Sequence, residues 1–441
     1  MSRGREIEDK EVDVEEINGD DFDESEYEGE DYYDNEHESD YEVLEEIDRR
    51  VKIRRCDSNP CFDHGRLDLN LDIRPSQDAD YWSNPPHLSD ELGLISLPRI
   101  PTEVETMIIA RIPLLEIRKF CSVSKPILTV IKNGDIMMER KRIGVKEASV
   151  FMLASGETNW WAFDQQFLSR KTLPNLPSDV TFKDADKESL CAGTQLLVFG
   201  KEAEGPVIWA YEVLLNKWFK STSMIEPRCL FASASSGDFA YAAGGTCLAT
   251  FEILNSAEKY DPDTKTWDPL PKMKEKRRMC SGVYMDNKFY VLGGQSQSGG
   301  VLTCGEVYDE NKNTWVKIPG ILTGLTNSDS PPLLAVVNNE LYTFETSTNC
   351  LLVYLKDSNS WKDLGQIPVR ADSGRGWGVA FKSLGNELLA IGGSNITPWG
   401  RGMTVYTCSP NPNAQGLEWK LLDDGRHSRS PFVMNCTVMV A

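Results

Sequence analysis

A tyrosine followed seven residues later by a tryptophan occurs at Tyr211/Trp218, Tyr260/Trp267, Tyr308/Trp315 and Tyr354/Trp361, and these tryptophans succeed one another at intervals of 49, 48 and 46 residues. A period of this length means that one structural unit is stacked several times, which constrains the chain more than any single residue does. Within a period four short runs can be read: an apolar run such as Cys280 to Asp286, a second from Phe289 into Gly293-Gly294, a third carrying the Tyr and a fourth carrying the Trp. Four short strands of this kind make one blade of a β-propeller. The glycine pairs Gly244-Gly245 and Gly293-Gly294 suit a sharp turn near a crowded axis, and the aromatic pairs suit the space between neighbouring sheets.

The ends of the array set the blade number. Gly392-Gly393, Tyr406 and Trp419 form a further unit, with the Tyr-to-Trp distance stretched to 13 by a loop. At the other end, Ser149 onward starts at a second strand, with Phe163 at the Tyr position and Arg170 at the Trp position. The final residues, from Pro431 to Ala441, read as an orphan first strand, so they are expected to pair beside Ser149 to Ala154 and close the ring, which removes open sheet edges. The array therefore resembles the kelch-repeat propeller over residues 145–441, with six blades. It departs from that pattern at Gly200 and at Phe344-Glu345, where the double glycine is lost, and the second and fifth blades are expected to be less regular.

Charge divides the rest of the chain. Of the net charge of −21, Met1 to Asp48 carry 23 acidic residues against Arg3, Arg5 and Lys10, so almost all of it lies in residues 1–48. Asp20 to Glu42 show no apolar period and cannot bury a core, which predicts a disordered acidic tail, solvating or in contact with a basic partner. Residues 49–96 read as a linker. The basic run Arg49 to Arg55 fits a nuclear import signal or a block balancing the tail, so the nucleus, the cytoplasm or both are the expected locations. Leu67-Asp68-Leu69-Asn70-Leu71 puts three leucines on one side of an extended peptide and resembles the amphiphilic repression motif of plant regulators, which implies a TOPLESS-type corepressor as partner.

The near-neutral remainder offers no basic face for phosphates, so no nucleic-acid partner is expected. No apolar signal core or run of 18 apolar residues appears, so neither secretion nor a membrane span is expected. Eleven cysteines without a Cys-x-x-Cys pair fit reduced thiols. Cys56, Cys61 and His64 match no zinc spacing, and no cofactor or metal is expected.

Residues 97–144 change to helical patterning. Pro101 opens a helix through Val104, Met107, Ile108 and Arg111. Ile112-Pro113 ends it, a second follows through Leu114, Ile117, Phe120, Cys121 and Val123, and a third runs from Lys125-Pro126 through Leu128 and Ile131 to a stop at Asn133-Gly134. The order Ile100-Pro101, Glu103, Ile108-Ile109, Ile112-Pro113, Ile117, Val123-Ser124-Lys125 resembles the F-box, with Ile for Leu twice and Pro126-Ile127 where Arg-Trp is common. Three helices this small cannot bury a core of their own, which points to a partner helix; a helical cap on the propeller is the other reading.

An F-box ahead of a kelch propeller resembles the plant F-box/kelch-repeat family. That resemblance implies a mainly β protein with a six-bladed propeller behind a small three-helix F-box, acting as substrate receptor of a Skp-cullin-F-box ubiquitin ligase. The Skp-type adaptor, and through it a cullin, would dock on Pro101, Ile108, Ile109, Ile112 and Pro113. The target protein would bind propeller loops through Arg228, Arg278, Arg370, Arg375, Trp399 and Arg401, where guanidinium groups can hold acidic or phosphorylated segments. Such a receptor does no covalent chemistry. An enzyme is the competing class, but copper needs several imidazoles and His427 alone falls in the propeller; a scaffold or corepressor adaptor is the further alternative.

Overall fold

The computed structural model describes residues 100–121, 125–325, 330–371, 376–394, 402–413, 416–424 and 430–441. The acidic tail, the basic run and Leu67 to Leu71 lie outside them.

Four helices lead into the sheets: α1 Thr102–Ile109, α2 Leu114–Ile117 with a 3-10 turn at Arg118–Phe120, α3 Lys125–Lys132 and α4 Asp135–Ile143. Pro101 and Pro113 sit at the N-caps of α1 and α2 with extended ψ, one residue earlier than a first helical position. Gly134 (φ 80) was expected as a stop; it is instead the left-handed hinge from which α4 restarts, and Gly144 (φ 73) closes α4. The three-helix expectation is thus corrected to four. Helix α4 is mostly polar, and its core face is Ile136 plus the buried guanidinium of Arg140, a combination with no apolar period.

The six blades are antiparallel and four-stranded. The first combines β1 Ala148–Ala154, β2 Trp161–Asp164 and β3 Arg170–Thr172 with the last strand, β27 Val433–Val440. A short helix, α5 Val180–Asp184, precedes blade two, which holds β4 Glu188–Ala192, β5 Gln195–Glu202, β6 Gly205–Glu212 and β7 Lys217–Lys220. Blade three holds β9 Ala232–Ser235, β10 Ala240–Ala243, β12 Ala257–Asp261 and β13 Thr266–Leu270. Blade four holds β14 Ser281–Met285, β15 Lys288–Leu292, β16 Gly305–Asp309 and β17 Thr314–Ile318. Blade five holds β18 Leu333–Val337, β19 Glu340–Glu345, β20 Cys350–Leu355 and β21 Ser360–Gln366. Blade six holds β23 Ala380–Leu384, β24 Glu387–Ser394, β25 Met403–Cys408 and β26 Lys420–Asp423. Two-residue strands β8 (Arg228–Cys229), β11 (Thr246–Cys247) and β22 (Val369–Arg370) lie between them.

The ring closes as expected: β27 pairs with β1 from Ala148 opposite Val440 to Ala154 opposite Val433. Each repeat Tyr faces its Trp directly across two strands, with ring centroids 5.0 to 5.4 Å apart. Phe163 faces Arg170 in blade one in the same way, and the Arg170 guanidinium stacks 3.6 Å over the Trp161 ring. The indole N–H groups of Trp218, Trp315 and Trp361 donate to the carbonyls of Pro174, Pro271 and Ile321, stitching each blade to the chain that enters it. Blade six departs from the expected pair: a register shift puts Leu421, not Trp419, opposite Tyr406.

At Gly244-Gly245 and Gly293-Gly294 all four residues have φ between 68° and 91°. A Cβ would come within 2.5 Å of the Arg277 carbonyl oxygen at Gly244 and 2.4 Å of the Arg278 carbonyl oxygen at Gly294, so no side chain fits. Where the pair is absent, blade two is regular against expectation, with β5 and β6 paired from Gln195/Glu212 to Glu202/Gly205, whereas blade five is irregular as expected, its β20–β21 register shifting between Leu351 and Leu352.

Packing between blades forms the core, and the helices share it. Ile109, Leu114, Leu115, Ile117, Ile131 and Ile136 belong to one apolar cluster with Phe151, Leu153, Trp209 and Trp218 of blades one and two.

Candidate functional site

The helices and the propeller each present one surface. On α1, Val104 (42% exposed) and Ile108 (53%) stand four residues apart, the spacing that stacks side chains on one helical face, and Ile100 (50%) is exposed just ahead of the helix. Pro101 and Pro113 are exposed as well, and Ile112 is half-buried. Ile109 is corrected: at 5% exposure it belongs to the core, because its position on α1 turns it away from that stripe. Val104 was not singled out, although its i, i+4 relation to Ile108 carried the signal.

The stripe is held on a fixed base. Arg140 Nη1 donates to the carbonyls of Ala110 (3.1 Å) and Ile112 (2.9 Å), at the C-terminal end of α1. Lys171 of β3 binds the Leu115 carbonyl and, at 2.9 Å, Glu116. Lys141 pairs with Asp238 in the β9–β10 turn at 2.7 Å, and Ala441, just beyond β27, exchanges backbone hydrogen bonds with Glu147.

The second surface is a funnel at the opposite end of the strands. Strand β27 relates the two: its start, Val433 to Cys436, lines the funnel, and its end meets the helices through Glu147. The cavity measures roughly 690 Å³ and is lined by the beginnings of the innermost strands of all six blades. Its charged lining residues are Asp186, Lys187, Glu188, Lys201, Arg228 and Lys382. Burial pushes the Glu188 carboxyl up to about 8, although the amides of Leu230 and Phe231 and the charge of Arg228 act the other way.

The proposed target-binding arginines do not behave alike. Arg228 is corrected: at 2% exposure it donates to the carbonyls of Glu226, Gly244 and Ser256, to Ser256 Oγ and to Glu258 Oε1 at 2.5 Å, leaving nothing to offer a target. Arg277 does the same one repeat later, with the Gly293 and Cys304 carbonyls and Glu306 at 2.9 Å. Glu258 and Glu306 in turn accept two backbone amides each from the preceding loop. These are blade-junction clamps. Arg278 is half-buried, with Nε donating to Gln295 Oε1 at 3.3 Å, and Arg370 is exposed in β22 opposite Gly393 of β24. Arg375, Trp399 and Arg401 lie outside the described residues.

A family model for the Kelch motif matches residues 227–274 and 276–320, which are blades three and four. An F-box/kelch-repeat protein of Arabidopsis thaliana is 48% identical over 372 residues, spanning 83% of this chain and 86% of its own length. Two further F-box/kelch-repeat proteins of the same plant are 39% and 38% identical, over 72% and 82% of this chain and 77% and 78% of theirs.

Proposed function

Because the chain belongs to the F-box/kelch-repeat proteins of plants, we propose that it is the substrate-recognition subunit of a Skp-cullin-F-box ubiquitin ligase. Helices α1–α4 dock a Skp-type adaptor and through it a cullin, and the propeller presents a target protein. Its contribution is effective concentration rather than covalent chemistry: tethering a target beside a charged ubiquitin-conjugating enzyme makes a rare encounter local.

The observation that carries this reading is the stripe of Val104 and Ile108 on α1, with Ile100 exposed just ahead of the helix. It is left outside an otherwise complete core, on helices braced against the propeller, and exposed apolar faces of that kind mark protein contacts. The funnel-bearing end of the propeller and the stripe lie at opposite ends of β27, so a target held on the loops around the funnel would not meet the adaptor.

Ile108→Asp tests it. An exposed residue of the free protein tolerates the charge, whereas in an adaptor interface the charge loses burial and must be desolvated. Capture of the adaptor should fall by a factor of ten or more (~1.4 kcal/mol or above) with unchanged melting. Undiminished capture would remove the adaptor role.

Three finer readings belong to this proposal. The acidic N-terminus, the basic run and the stretch Ser149 to Trp161 look closest to the TOO MUCH LOVE branch of the family. A nuclear location rests on Arg49 to Arg55, and a TOPLESS-type corepressor partner on Leu67 to Leu71.

A further inference from the structure

The funnel has features that neither blade packing nor adaptor docking uses. Its volume of roughly 690 Å³ falls within the range of sites for drug-sized ligands, roughly 300–1,000 Å³. The upper wall is apolar, made by Leu230, Phe231, Pro331, Trp377, Phe432 and Met434, with Trp377 41% exposed. Leu230 sits at φ 54°, as does its repeat counterpart Met279 at φ 51°. Left-handed backbone is disfavoured for bulky residues and persists only where its surroundings enforce it. Here the Glu188 carboxyl oxygen accepts the Leu230 amide, and the Leu230 carbonyl accepts the Met279 amide at 2.8 Å.

Deeper in, the lining becomes small and polar, with Ser189, Ser233, Ser281 and Asn435, and one cation stands among them. Lys382 lies on β23 with Ala380 and Leu384, which pack against blade one, and its charge reaches the thiols of Cys191 and Cys436. The other charges of the lining are accounted for. Arg228 is held by Glu258; Lys187 Nζ donates to the carbonyls of Lys183 and Ala185; Glu188 accepts backbone amides and, with its carboxyl pushed up to about 8, is mostly protonated at neutral pH. Asp186 and Lys201 also line the cavity and are exposed, Lys201 on β5 rather than on an innermost strand. Lys382 has no carboxylate and no hydrogen-bond acceptor among the described residues. A partly desolvated ammonium without a partner favours an anion.

We propose that the funnel is a binding site for a small amphipathic anion, with its carboxylate on Lys382 and a planar apolar body between Leu230, Trp377 and Phe432. Lys382, the unpaired cation on the inner strands, stands below an apolar collar and matches one anionic group on one compact hydrophobe. A polyacidic peptide would instead meet Asp186, with Lys382 as the one ammonium on the inner strands to answer it. The site belongs to the propeller and is independent of adaptor docking.

Two probes test it on the full chain: 2-naphthoate and its uncharged analogue 2-naphthylmethanol, titrated by tryptophan fluorescence and by ligand-observed magnetisation transfer. The expected result is saturable binding of 2-naphthoate, weakened by about tenfold or more in Lys382→Gln, as for loss of a charge-assisted hydrogen bond. Lys382→Arg should retain binding, which separates charge from misfolding, and Trp377→Phe should remove most of the fluorescence change. Equal binding of the two probes, unchanged affinity in Lys382→Gln, or no saturable binding overturns the proposal. So does capture of an acidic peptide that 2-naphthoate cannot displace, which would assign the funnel to a target segment. Adaptor capture is measured on the same preparations, so loss of the ligand site and loss of the receptor reading are told apart.

Discussion

Arg140 of α4 and Glu147, the residue that enters β1, form an ion pair 3.0 Å long, and the same Glu147 Oε2 accepts the Leu114 amide at 2.8 Å. The Glu147 backbone meanwhile exchanges hydrogen bonds with Ala441 at 2.9 and 3.0 Å. One residue therefore joins α2, α4, the entrance to β1 and the exit from β27. The helices and the closing strand share an anchor, so disturbing either should be felt by the other.

Glu147→Ala leaves the almost fully buried Arg140 guanidinium without its counter-charge and the Leu114 amide without its acceptor. Breaking such a pair from one side costs on the order of 3 kcal/mol. Glu147→Gln keeps an acceptor for the amide and should lose only about 1–2 kcal/mol. Thermal unfolding, with limited proteolysis between Gly134 and Gly144, checks the order. An Ala variant that melts with the parent and resists protease equally would show that the anchor holds nothing.

Deleting Met434 to Ala441 removes most of β27 and uncovers one edge of β1, every residue of which is buried. Six residues without partners, Ala148 to Leu153, in the middle of an apolar cluster are a template for association. Aggregation, or protease sensitivity throughout the propeller rather than in blade one alone, is the expected outcome in size-exclusion and digestion experiments. A truncated protein that stays monomeric with an unchanged midpoint contradicts it.

Neighbouring arginines of one loop should behave oppositely. Arg277 and Glu306 are both fully buried and 2.9 Å apart, so Arg277→Met strands the carboxylate at a cost of about 3–5 kcal/mol. Arg278, one residue on and half-buried, makes a single 3.3 Å side-chain hydrogen bond, and Arg278→Met should stay within about 0.5 kcal/mol. Urea midpoints of the two variants decide it, and equal losses would refute the clamp.

That pair also shows what the sequence could and could not disclose. The Tyr and Trp positions, the six blades and the closing strand were legible because stacked units repeat their chemistry at a fixed spacing, and Phe163 opposite Arg170 was found by position alone. Arg228 was misread because a charged residue in a loop looks the same whether it meets solvent or a carbonyl cage. Comparing Arg228 with Arg277, 49 residues apart, carried the hint, since a target-specific residue has no reason to repeat. Helix α4 was missed because half of its core face is a guanidinium. Lys382 was invisible for a different reason: its meaning depends on which residues five other blades bring to the channel, and no local pattern records that.

The stability of the propeller should also depend on pH through Glu188. Burial raises the Glu188 carboxyl from 4.5 to about 8, with Asp186 adding to the rise and the Leu230 and Phe231 amides and Arg228 opposing it; the nearby Cys229 thiol is itself pushed up to about 11. A carboxyl whose folded pKa lies above its unfolded value binds more protons when folded, so its contribution is complete below about 4.5 and is lost as pH rises through about 8. Glu188→Gln cannot ionise, and its amide oxygen can still accept the Leu230 amide. Its melting temperature relative to the parent should therefore climb between about pH 5 and pH 9 and level off above that range. Parallel melting curves for the two proteins across that range would mean that Glu188 is already ionised at neutral pH, and the funnel would then carry a negative charge opposite Lys382 that an anionic ligand must overcome.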